Sequence, residues 1–413
     1  MKRKTNKSSW ISLLLLLYFF SCQGEEDADS RLQVTTLGAA GITSTEAACK
    51  GRIVGKKENI SAYGIELIHG NDTVAHRRTN NLSGDEFIFK IPELIPATSY
   101  QFRAFADDGT MHYGDIMSFT TAQPKIIASH IPLADPFILY HEGIYYAYGT
   151  NSDDGIPVYT SRDLTLWKRR PTLALAKENS YGDRWFWAPE VCYRPENKTF
   201  YLFYSAEEHI CAATSNSPLG PFKQALQQPM REEKSIDNTL FIDDDGKPYL
   251  FFVRFTNGNA IWSAELENDW LSVRENTLKM CVEAVSGWER IQAKVAEGPS
   301  VTKQNGLYYL LYSANDYQSK DYAVGYAAAS SLTDSWKKAP ENPILHKPNE
   351  ELAGTGHGAM FKDKDGNLRY VFHAHYDPTT IHPRKMYITN LAIDNNGKIS
   401  MDKDNIIYPI EYE

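Results

Sequence analysis

Five ionisable side chains recur at a near-constant distance ahead of five similar apolar segments. The segments read Gly143-Ile144-Tyr145-Tyr146, Lys198-Thr199-Phe200-Tyr201, Gly246-Lys247-Pro248-Tyr249, Gly306-Leu307-Tyr308-Tyr309 and Gly366-Asn367-Leu368-Arg369. Eight or nine residues before each one stand Asp135, Glu190, Asp237, Glu297 and His357. Carboxyl groups gathered at one place raise one another's pKa, so that one stays protonated while another is ionised. That division suits hydrolysis of a glycosidic bond. A protonated carboxyl gives its proton to the leaving oxygen, and an ionised one activates water or attacks the anomeric carbon. No Ser or Cys nucleophile motif and no Gly-rich phosphate loop competes with this reading. The residues alone leave open which carboxyl plays which part.

The elements that must position these groups follow from the repeat. Its starts lie 55, 48, 60 and 60 residues apart, each start opens a short apolar strand, and no amphipathic helical pattern intervenes. Repeats of that length, built from several short strands, describe the blades of a five-bladed β-propeller. The first strand of a blade lines the central channel, so five groups at equivalent positions are expected to meet near one mouth of it. Gly and Pro surround them (Ala134-Asp135-Pro136, Ala188-Pro189-Glu190, Glu297-Gly298-Pro299), which suits fixed backbone at a strand's entry. Asp135, Asp237 and Glu297 are taken as functional. Glu190 is expected to be structural, binding a neighbouring blade's backbone or an Arg. Ahead of the repeats, residues 31–124 carry short alternating strands such as Phe87 to Ile91 and Tyr100 to Phe105, which imply a small β-sandwich. The fold class expected is therefore all-β, with a five-bladed propeller over 125–413 preceded by that sandwich.

Composition narrows the partners. The 413 residues carry 43 Lys and Arg against 52 Asp and Glu, for a net charge of −9. Four of the cations, Lys2, Arg3, Lys4 and Lys7, belong to a leader. An acidic chain without a basic stripe excludes nucleic acid as a natural partner. The leader continues with an apolar run from Trp10 to Phe20, too short to span a bilayer as a helix, and ends in Ser21-Cys22, so 1–21 reads as a lipoprotein signal peptide with Cys22 as the lipidated residue. Residues 22–30, with Glu25, Glu26, Asp27 and Asp29, form an acidic tether. These features place the protein on a bacterial outer membrane or cell surface, held only through the lipid at Cys22, with the periplasm as the alternative. The other cysteines, Cys49, Cys192, Cys211 and Cys281, show no metal or paired spacing and are expected to be free thiols.

As a set, Ala134-Asp135-Pro136-Phe137, Trp187-Ala188-Pro189-Glu190-Val191, Ile236-Asp237-Asn238, Ala296-Glu297-Gly298-Pro299 and Gly354-Thr355-Gly356-His357-Gly358 resemble glycoside hydrolase family 43 from about Leu133 to Pro409. The resemblance implies an inverting reaction with Asp135 as general base, Asp237 orienting the acid and raising its pKa, and Glu297 as general acid. It also implies a channel role for His357, which in some members helps hold a calcium ion or its water shell, a substrate-contacting Arg384, and Trp187 as a wall of the sugar pocket. The implied substrates are plant cell-wall polysaccharides. Exo release of α-L-arabinofuranosyl units is favoured, and β-D-xylosidase or other pentosan or galactan hydrolysis is the alternative. Residues 314–318 and 178–185 are candidates for the pocket rim. The stretch from Leu94 to Ala104 resembles the fibronectin type III pattern, with Tyr100 placed like its corner tyrosine. Two rivals stand beside this reading. One is a surface glycan-binding protein without catalysis, which a missing carboxylate would have favoured. The other is a retaining fructan-cleaving propeller, whose Asn-Asp-Pro-Asn-like motif is absent around Asp135.

Overall fold

The structure, a computed structural model, describes residues 31–79, 82 and 84–413. The leader, the tether and Cys22 lie outside the described residues. The chain divides after Gln123 into two compact units.

The first unit is built from two antiparallel sheets. One joins Gln33–Ala40, Ala47–Val54 and Glu86–Ile91; the other joins Ala62–His69, Asp72–Arg78, Ser99–Asp107 and Met111–Tyr113, with Met117–Thr120 also pairing to Ser99–Asp107. Alternation along Glu86–Ile91 buries Phe87, Phe89 and Ile91 against Cys49, Ile65 and Phe102. The hydroxyl of Tyr100 accepts the Ile95 N–H at 2.8 Å, tying the strand back to the chain just before it.

The second unit is a five-bladed β-propeller. Its innermost strands are Ala134–His141, Trp187–Arg194, Ser235–Ile242, Ala296–Gln304 and Gly356–Lys362. Each pairs antiparallel with a second strand: Ile144–Thr150, Thr199–Ala206, Pro248–Thr256, Leu307–Ala314 and Leu368–Ala374. The repeated apolar segments are these second strands. Neighbouring blades cover both of their faces, which is why they read as unbroken apolar runs: Leu202, Phe203 and Tyr204 are all fully buried, as are Leu310, Leu311 and Tyr312. Closure is made at the outer edge of blade one, where Ile410–Tyr412 pairs parallel with Leu166–Arg169 and antiparallel with Ile126–Ala128. Cys49, Cys192, Cys211 and Cys281 are free, as expected.

Candidate active site

One device repeats around the channel. Every innermost strand is bulged near its start, with the irregularity between Ala134 and Phe137, Trp187 and Glu190, Ile236 and Thr239, Glu297 and Ser300, and Gly356 and Ala359. Inside each bulge one residue takes a left-handed backbone: Asp135 (φ 48°), Ala188 (46°), Asp237 (56°), Gly298 (57°) and His357 (39°). A non-glycine residue there costs about 1–3 kcal/mol, and a bulge re-aims the side chain that it carries. Four of the five bulge N–H groups are held by the preceding blade. Asp135 donates to His373 Nδ1 at 3.1 Å, Ala188 to Thr150 Oγ1 at 3.0 Å, Asp237 to Ser205 Oγ at 3.1 Å and His357 to Ser313 Oγ at 2.7 Å. Val253 fills the fifth acceptor position, opposite Ile236, and the Gly298 N–H bonds the Asp237 carboxyl instead. Gly298 is also required for space, since a Cβ there would meet the His357 ring at 2.9 Å.

The strand entries open on a cavity of about 480 Å³ lined by Asp135, Asp237, Glu297, His357, Trp187 and Arg384 among others. The sequence had pointed to all six. Asp135 is 7 % exposed. Burial by itself would raise its carboxyl, but the Arg384 guanidinium, with His357 and His373 beside it, holds it well below the usual carboxylate range. Arg384 grips it as a fork, Nη1 at 2.8 Å from Oδ1 and Nη2 at 3.4 Å from Oδ2, and Thr150 donates to Oδ2 at 2.7 Å. His373 is neutral, pushed down to about 3 by burial and the Arg384 charge.

Glu297 and Asp237 are in the opposite state. Burial raises both carboxyls, and their mutual repulsion adds to the shift of Asp237. Glu297 is pushed up to about 7 even though Tyr322 donates to its Oε1 at 2.8 Å and Asn259 to its Oε2 at 3.2 Å. Two buried acids this close hold one proton between them near neutral pH. His357 Nδ1 lies 3.3 Å from Asp135 Oδ1 and 3.8 Å from Asp237 Oδ2, and burial keeps the imidazole neutral.

Asp237, Glu297 and His357 offer ligand atoms within 4.8 Å of one another. As a cage for calcium they fit poorly. Calcium takes six to eight oxygen ligands, whereas this set offers an imidazole nitrogen and two carboxyls.

Two expectations need correction. The five ionisable groups do not occupy equivalent positions: Asp135, Asp237 and His357 share the left-handed bulge position, Glu297 precedes it by one residue and Glu190 follows it by two. Glu190 therefore does not join the cluster. Its carboxyl, raised to about 8 by burial, accepts from the Thr239 hydroxyl and the Leu240 N–H on the next blade, which is the structural part expected of it. Arg384 is tied to Asp135 and lies with its guanidinium 4.6 Å over the Tyr317 ring. Of the two rim segments, 314–318 supplies Asp316 and Tyr317 to the cavity, while 178–185 lines none of it and only backs its wall, Trp185 stacking on Trp187 at 5.5 Å. Thr150, Asn259, Tyr322 and His373 were not anticipated.

A buried protonated carboxyl and an ionised carboxylate facing one cavity at the centre of a five-bladed propeller define a hydrolase of O-glycosyl bonds acting on carbohydrate. The chain belongs to glycosyl hydrolase family 43, which residues 129–399 match. Among curated relatives, a β-D-galactofuranosidase of Aspergillus niger is 26% identical over 310 residues, covering 69% of this chain and 87% of its own length. An extracellular exo-α-(1→5)-L-arabinofuranosidase of Streptomyces chartreusis is 28% identical over 58% of this chain and 79% of its own. Among solved structures, an endo-1,4-β-xylanase from Bacteroides thetaiotaomicron is 48% identical, with a TM-score of 0.67 over 70% of this chain and 100% of that one.

Proposed function

We propose that this chain is an inverting, exo-acting glycosidase that releases α-L-arabinofuranosyl units from plant cell-wall polysaccharides. The split in ionisation across one cavity carries the reading: Arg384 keeps Asp135 ionised, while burial raises Glu297 and Asp237 so that this pair retains a proton near neutral pH. In the reaction Glu297 gives its proton to the glycosidic oxygen as the bond to the anomeric carbon breaks. Water adds to that carbon from the opposite face and its proton passes to Asp135, so one water is consumed and the anomeric configuration inverts. Solvent then restores the proton to Glu297 and removes the one on Asp135. Arg384 and Thr150 fix the Asp135 carboxylate in one orientation, and Asp237 beside Glu297 helps retain the shared proton.

A second substrate has its own support. The Aspergillus niger relative, matched over most of its length, is named for β-D-galactofuranose, whose ring hydroxyls have the arrangement of α-L-arabinofuranose with a longer exocyclic arm. The test is release of 4-nitrophenol from the α-L-arabinofuranoside, β-D-galactofuranoside and β-D-xyloside, with the first product anomer read by proton NMR. Release of the first with inversion is expected. Preference for another sugar replaces the substrate, retention of configuration overturns the mechanism, and binding of arabinan without any release makes the protein a glycan binder.

The pH profile follows from the same two groups. Glu297 must be protonated and its pKa is raised, so activity is complete on the acid side and is lost as pH rises through about 7. Asp135 must be ionised and its pKa is depressed, so no acid limb is expected within the ordinary carboxylate range. We expect kcat/KM to be flat in mild acid and to fall by about tenfold per pH unit well above neutrality; a profile that rises through neutral pH would contradict the assignment. Anchoring at Cys22 is proposed from the leader sequence. Wild type is then expected in the membrane fraction and Cys22→Ala outside it, and equal partition of the two would remove the anchor.

A further inference from the structure

The loop at 375–384, which joins Leu368–Ala374 to Lys385–Ile393 in blade five, borders two cavities. His382, Pro383 and Arg384 face the cavity that holds the acids. Tyr376, Asp377 and Pro378, on the other limb of the same loop, line a second cavity of about 430 Å³. The loop is braced from within. Tyr376 N–H donates to the Ile381 carbonyl at 3.1 Å, and Asp377 Oδ1 accepts from the Thr379 N–H at 2.7 Å, the Thr379 hydroxyl at 2.6 Å and the Thr380 N–H at 2.8 Å. Such bracing fixes the two cavities relative to each other.

The lining of the second cavity has a definite chemistry. Tyr376 and Tyr408 are 37 % and 40 % exposed, large for aromatic rings, while buried Tyr387 packs edge-on beneath Tyr408 at 5.2 Å. Asn349 donates to the Tyr408 hydroxyl at 3.1 Å, which holds that ring in place. Glu350 and Glu351, both exposed, bring carboxylate acceptors beside the rings. The one lysine, Lys385, sits 3.9 Å over the Tyr376 ring and is engaged there. Aromatic faces pair with the C–H faces of sugar rings, and carboxylates accept protons from sugar hydroxyls. An anionic ligand would meet uncompensated negative charge.

We propose that this second cavity is an accessory glycan site, which holds a remote stretch of the polysaccharide whose end or branch occupies the active cavity. The proposal rests on the glycosidase reading and adds to it a second contact that a small substrate never reaches. Two linked contacts raise affinity for a polymer without changing either one.

The experiment uses full-length protein carrying Glu297→Ala, so that glycan is bound and not cleaved, and measures Kd for arabinan and for an arabinobiose that fills only the active cavity. Tyr408→Ala and, separately, Glu351→Gln are added to that background, with melting curves to show that each is folded. Loss of one ring stack or acceptor is expected to lower the arabinan-to-arabinobiose affinity ratio by about three- to tenfold. The same ratio in both variants as in the parent overturns the accessory site. Failure of the glycosidase reading is a different observation, since it is the absence of sugar release by wild type, and the ratio of affinities is read without catalysis.

Discussion

Glu297→Gln lowers kcat on a 4-nitrophenyl glycoside by about 10³-fold, and on the matching 2,4-dinitrophenyl glycoside by only about tenfold; this is the expected result if Glu297 is the proton donor. Dinitrophenolate leaves as a stable anion and needs little help, whereas a sugar or a poorer phenol must be protonated as it departs. Glutamine preserves the volume and can still accept the Tyr322 hydroxyl that now reaches Oε1. Its amide nitrogen then faces the Asn259 side chain, which now donates to Oε2, so the Asn259 amide must turn over; that rearrangement affects both substrates alike and cannot produce a difference between them. The alkaline limb of the profile should also vanish with the dinitrophenyl substrate, because the group raised to about 7 is gone. Steady-state kinetics on the two substrates across pH makes the comparison. An equal loss on both would mean that Glu297 supports the cavity and does not deliver the proton.

The propeller was legible because its middle strands are enclosed on both faces, and enclosure writes an unbroken apolar run such as Phe200 to Phe203 at every repeat. Counting back from those runs reaches the strand entries that open on the cavity, but with an error that has a plain cause. The hairpin between first and second strand holds two residues in blades one and four, four in blade two and five in blades three and five. Equal steps back therefore fall on unequal positions, which put Glu190 and Glu297 level with Asp135 when they are not. Counting forward would have been exact in register. Thr150, Ser205, Val253, Ser313 and His373 all stand seven residues after their repeat start and all face the same place in the innermost strand. The polar member of that series in four blades out of five is the sequence signal for the groups that hold the bulges. Tyr322 and Asn259 carried no such signal, because each comes from a connection or a third strand that no repeat aligns with Glu297. The fork between Arg384 and Asp135 joins residues 249 apart in the chain, and only closure of the propeller brings blade five against blade one.

That fork sets up the second large effect. Asp135→Asn is expected to lower kcat by about 10³- to 10⁴-fold whatever the leaving group, since an amide cannot take the proton of the attacking water. It should also lower stability. Arg384 has a side chain only 11 % exposed and Asp135 is its carboxylate partner, so the asparagine leaves a buried guanidinium without a counter-charge, a change that costs about 3–5 kcal/mol. Lost activity alone would thus be ambiguous between a missing base and a disturbed cavity. Asp135→Asn combined with Arg384→Met separates the two. Removing both charges relieves the unpaired cation, so Tm should return most of the way toward wild type, while kcat stays as low as in Asp135→Asn. Stability would then recover across the cycle while turnover would not. Thermal melts and kinetics on the four members of the cycle measure both quantities. Recovery of turnover along with stability would show that the carboxylate serves only to neutralise Arg384, and the base would have to be sought elsewhere on the cavity wall.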